Sequence, residues 1–75
     1  MQLSKIELLL HGETVAQIFQ VGQHAVESIS LIEHPEQITI TFQKDNDWNY
    51  ELIPFSSIKT LRYTIWSFLS SLFGN

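Results

Sequence analysis

The sequence contains no cysteine. A disulfide framework and a thiolate nucleophile are both excluded, so a chain of 75 residues must draw its stability from elsewhere. Proline occurs twice and glycine three times, at scattered positions. That leaves no low-complexity linker and no Gly-rich loop able to cradle a phosphate. Basic residues are few: four Lys and Arg stand against eight Asp and Glu, for a net charge of −4. Nucleic-acid binding draws on several cationic phosphate contacts per site, and this balance argues against it. The acids Glu7, Glu13, Glu27, Glu33, Glu36, Asp45, Asp47 and Glu51 are dispersed, so they make a poor nucleic-acid mimic too. No stretch approaches the roughly 18 consecutive apolar residues of a transmembrane helix. Met1–Glu7 lacks the pattern of a secretory leader, and the expected location is cytoplasmic.

What is present is a hydrophobic content of 44%, with five Phe, two Trp and two Tyr, which belongs to a globular chain rather than a disordered one. A chain of this size buries only about 60 to 65 per cent of the surface exposed by its unfolded form. With no disulfide to help, the expected supplement is a second subunit. The reading is therefore one small domain over residues 1–75, forming a homo-oligomer, most simply a dimer.

Between Lys5 and Gln20 two patterns compete. Strands over Lys5–Leu10 and Thr14–Gln20 would flank His11-Gly12-Glu13, where Gly12 can take the positive φ of a tight hairpin. Alternatively Val15, Ile18, Phe19, Gly22, Val26 and Ile29 follow a helical spacing. Strands are preferred, because Gly22 would interrupt the helix and β-branched residues flank it. Further on, Ile38-Thr-Ile40-Thr-Phe42 alternates with period two, after a connection at His34-Pro35-Glu36-Gln37. The turn formers Lys44-Asp45-Asn46-Asp47 lead into a second alternation, Trp48, Tyr50, Leu52 against Asn49, Glu51, Ile53. Pairing these strands is expected to set Ile38, Ile40 and Phe42 beside Trp48, Tyr50 and Leu52, with Pro54 ending the second.

The C-terminal run reads as a helix over about residues 57–73, following a sheet over about residues 5–55. Ser56 or Ser57 offers an N-cap and Gly74 a terminator. At helical pitch Ile58, Leu61, Ile65, Trp66, Phe68, Leu69, Leu72 and Phe73 share one arc of about 160°, with Ser and Thr behind them. An alternative keeps Ile58–Tyr63 as one more strand and starts the helix near Thr64. The expected fold class is thus α+β: a small antiparallel twisted sheet or partial barrel of four to five strands, with a C-terminal amphipathic helix. The segment Glu51–Ile58 is compatible in outline with small SH3-like barrels and with PH-like sheets closed by a helix, a likeness of architecture that carries no function.

Motifs for chemistry are missing. His11, His24 and His34 fall in or near turns and lack the spacings of a zinc site. Asp45-Asn-Asp47-Trp-Asn49 opens like a calcium loop, yet Tyr50 stands where that loop needs Gly and Ser56 where it needs Glu. No serine lies in Gly-x-Ser-x-Gly. The expectation is a non-enzyme with neither cofactor nor metal.

A helical arc wider than one small sheet requires points to a non-catalytic protein-binding or assembly module that self-associates, with Leu61, Ile65, Trp66, Phe68, Leu69, Leu72 and Phe73 as its interface. Two alternatives come from other classes. The same helix could lie on a membrane surface, with Lys59 and Arg62 toward the headgroups, although such helices carry more basic residues. Or the acidic loop Asp45, Asp47 and Asn49 could occupy a basic site on another protein, as a small inhibitor of phage type does.

Overall fold

Strand β1 (Gln2–Leu10) runs through the middle of the molecule with both edges paired. In the computed structural model, which describes residues 1–66, it is followed by β2 (Gln17–Gln20), β3 (Val26–Glu33), β4 (Glu36–Lys44), β5 (Asp47–Pro54) and β6 (Ile58–Ile65). One 3-10 turn, Phe55–Ser57, joins β5 to β6. Every pairing is antiparallel. One edge of β1 carries β6 along almost its whole length, and the other carries β2 at Lys5–Leu8 and then β3 at Gln2–Leu3. From β3 the sheet continues through β4 to β5, a curled half-barrel.

The α+β expectation is overturned over the described residues. Ile58–Ile65, read from sequence as the first half of a C-terminal amphipathic helix, is a strand paired with Leu3–Leu10. Ile58, Thr60, Tyr63, Thr64 and Ile65 are β-branched or aromatic, which suits a pleated ladder better than a helix. Ser57 and Ser56 cap no helix; they sit in the 3-10 turn, which has no side-chain cap hydrogen bond. The rest of the expected helix, residues 67–73, lies outside the described residues. The sheet accordingly spans residues 2–65, not about 5–55.

β1 and β2 pair antiparallel across Gly12 at φ +86 as expected, but β2 begins at Gln17, so Thr14–Ala16 belong to a longer loop rather than to a tight hairpin; the helical alternative over Val15–Ile29 is absent. Between β2 and β3 the chain reverses through Gly22 at φ +90, His24 at φ 52 and Ala25 at φ 65. This loop is held by Val21 N–H donating to Ser4 O and Gly22 N–H to Val26 O, at 3.0 and 2.9 Å.

Three bulges set which side chains face inward. Each inserts one residue, Ser4 in β1, Glu27 in β3 and Lys59 in β6, shifting the register by one. A strand normally sends every second side chain inward. With an extra residue between them, Leu3 and Ile6 both point in, as do Val26 and Ile29, and Ile58 and Leu61. Among the described residues the buried core is wholly aliphatic: Leu3, Ile6, Leu8, Val26, Ile29, Ile38, Ile40 and Ile53. Phe19 and Phe42 pack on its rim, edge to face at 6.2 Å.

A Cβ at Gly22 would meet nothing within 4 Å, so only the backbone opposes substitution there. Gly22→Ala is expected to cost about 1–2 kcal/mol, read from the urea midpoint, because a left-handed conformation is unfavourable for any L-residue with a Cβ.

Candidate functional site

The β4–β5 hairpin turns on two residues, Asp45 and Asn46, with Asp45 at φ 58, the positive φ that such loops require. Its closing pair is Lys44 with Asp47, so each residue of β4 faces a partner of opposite parity: Phe42 with Asn49, Ile40 with Glu51, Ile38 with Ile53. The expected pairing of Ile38, Ile40 and Phe42 with Trp48, Tyr50 and Leu52 is therefore incorrect by one residue, and such a slip moves a whole set of side chains to the other face. Trp48, Tyr50 and Leu52 stand on the outer, convex face opposite Gln43, Thr41 and Thr39.

There they are exposed by 51, 67 and 58%, an apolar row on a single strand. Their neighbours across the convex face are uncharged: Thr39 and Thr41 on β4, then Ser30 and Ser28 on β3, with the Gln2 amide donating to Ser30 Oγ at 2.9 Å. On the inner side of β5, Asp47, Asn49 and Glu51 are exposed too, and Ile53 alone of the strand is buried. The hairpin thus projects past the core, held through its ladder to β4.

Three strands end the sheet, and they differ in what their outer edges present. β2 is four residues long. β6 carries Lys59 and Arg62 and is bulged at Lys59, devices that blunt an edge. β5 is eight residues long, has no register shift, and bears no Lys or Arg; Pro54 closes it. Among the described residues no strand pairs with its outer edge.

No family model, curated protein or solved structure matches this chain. The geometry alone carries the reading of the site.

The residues singled out from sequence are scattered. Leu61 is half-buried against the core, opposite Leu8 on β1. Ile65 and Trp66 are each 51% exposed at the end of β6, where Trp66 N–H donates to Gln2 O at 3.0 Å. Trp66 lines a shallow depression with Gln2, Val21 and Ser28. Phe68, Leu69, Leu72 and Phe73 lie outside the described residues. Of the acidic loop, Asp45 occupies the turn while Asp47 and Asn49 share the inner side of β5. His11, His24 and His34 sit in three separate turns. Among the described residues no three metal-ligating side chains converge, and no helix is long and apolar enough to cross a membrane.

Sequence reasoning missed the exposed row. The signal was the two-residue loop Asp45-Asn46: taken as the whole turn, it fixes the parity and sends Trp48, Tyr50 and Leu52 outward. The two faces make a direct check. Ile53→Ala should cost about 2–5 kcal/mol in chemical denaturation, whereas Leu52→Thr, one position along, should stay within about 0.5 kcal/mol when both are measured at a concentration where the chain is monomeric.

Proposed function

We propose that this protein is a non-catalytic assembly module whose partner is a second copy of itself. The observation that carries the reading is the solvent-exposed row Trp48, Tyr50 and Leu52 on a projecting strand. Apolar side chains grouped on one strand, rather than scattered singly, are the usual mark of an interaction surface. Aromatic residues are also the types enriched in the buried centres of protein interfaces. The size of the chain supports the same reading, since the eight aliphatic residues buried among the described residues make a small core and a second subunit would add to it. The interface first read from sequence as an amphipathic helix moves, in this proposal, to the sheet.

Light scattering coupled to gel filtration tests it. The expected result is a mass that rises with loading concentration toward twice that of the chain, and Trp48→Thr with Tyr50→Thr should hold the protein at one chain. A wild-type protein that stays monomeric throughout the concentration range rejects self-assembly.

A further inference from the structure

We infer that the copies join edge to edge through β5, antiparallel about a two-fold axis at Tyr50, extending the two sheets into one. This rests on the self-association reading above and adds the strand, the register and the bonds.

The hairpin fixes which backbone groups are available. Lys44 and Asp47 close a two-residue loop, so they exchange both their hydrogen bonds. Alternation along the ladder then points the N–H and C=O of Asn49, Glu51 and Ile53 toward β4, and those of Trp48, Tyr50 and Leu52 outward. Gln43, opposite Trp48, fits this pattern, since its N–H turns away from β5 and donates to Ala25 O at 2.9 Å. Pro54 fits as well, since its missing N–H falls on the outward side, where the β4 ladder loses nothing.

Three registers bring a copy of β5 against its own middle, and charge separates them. Centred on Asn49, the pairing sets Asp47 opposite the partner's Glu51. Centred on Glu51, it opposes two Glu51 carboxylates. Like charges directly across a ladder are unfavourable. Centred on Tyr50, no acid meets an acid: Asn49 faces the partner's Glu51 and can donate to it, and Asp47 faces the partner's Ile53. On the convex side Tyr50 meets the partner's Tyr50, and Trp48 meets the partner's Leu52, twice by symmetry. The outward N–H and C=O groups of Trp48, Tyr50 and Leu52 all find partners at once. A two-fold interface must be complementary to itself, and this register is.

Hydrogen exchange of the full chain, followed residue by residue by NMR at low and high protein concentration, tests the proposal. The amides of Trp48, Tyr50 and Leu52 should slow by about tenfold or more at high concentration, while those of Asn49, Glu51 and Ile53, bonded to β4, should exchange alike at both. Association without slowing at the three outward amides overturns edge pairing and leaves self-assembly standing. Slow exchange in a sample that light scattering shows to be a single chain also overturns it, because the edge is then covered within one chain. A chain that never associates overturns both readings. Tyr50→Pro supplies a second measurement. It removes an outward N–H and no bond to β4, so a folded monomer is expected, and a Tyr50→Pro dimer would count against the inference.

Discussion

Both edges of β1 are occupied, and the rest of the fold follows from how they are shared. β6 takes one edge, while β2 and β3 divide the other, with β2 on Lys5–Leu8 and β3 on Gln2–Leu3. Two strands on one edge force the chain to leave β1 and return to it within a few residues. The loop from Val21 to Ala25 makes that return through Gly22, His24 and Ala25 at positive φ. For His24 and Ala25 this is a conformation L-residues avoid, at a cost of about 1–2 kcal/mol each. The surrounding bonds, Val21 to Ser4, Gly22 to Val26 and Gln43 to Ala25, hold the loop in place. A sheet anchored this way cannot stay flat. The bulges at Ser4, Glu27 and Lys59 add local twist and close the curl over the aliphatic core.

Those bulges also explain why the C-terminal segment read as a helix. Each lies between two inward apolar residues three positions apart: Leu3 and Ile6, Val26 and Ile29, Ile58 and Leu61. A spacing of three is the first step of a helical pattern, and a bulge produces it within a strand. At Ile58 it is followed by Leu61 and Ile65, which completes an i, i+3, i+7 series, so periodicity alone favours the wrong element. The residue types hold the corrective signal. Thr60, Tyr63, Thr64 and Ile65 lose side-chain freedom in a helix and pack well on a pleated surface. Bulges at Ser4 and Glu27 do less harm because uninterrupted alternation follows nearby, as in Ile38–Phe42.

Much of the sheet was legible for the converse reason. Where no bulge intervenes, as in β4, period two is clean, and the turns on either side announce themselves through Pro35 and through Asp45-Asn46. What could not be read as directly was the register between β4 and β5. Taking the five residues Gln43–Asp47 as the loop would pair Phe42 with Trp48, whereas the two-residue loop pairs it with Asn49, and this single residue decides whether Trp48, Tyr50 and Leu52 are core or surface. The large aromatic side chains suggested core. The loop geometry overrides that preference, because Asp45 can adopt the positive φ of a two-residue hairpin and the tighter turn brings Ile53, not Leu52, over Ile38.

The outcome is a strand whose apolar residues do little for the fold of one chain. Ile53 anchors β5 in the core; from Asp47 to Leu52 both faces of the strand are exposed. Threonine at positions 48, 50 and 52 would keep the β-propensity, the ladder to β4 and the alternation, and would remove an apolar row from water. The described core would miss little of the larger side chains, since all three are more than half exposed. A two-stranded extension without a covered face is also marginally stable on its own. The same chain blunts the edge of β6 with Lys59, Arg62 and a bulge, and keeps β2 short, yet leaves the long and regular edge of β5 without a basic residue. The asymmetry is one of edges, not of overall composition: β6 is bulged and basic and β2 is only four residues long, whereas on β5, whose charges Asp47 and Glu51 lie on the inner side, the apolar row and the open backbone groups belong to the same three residues.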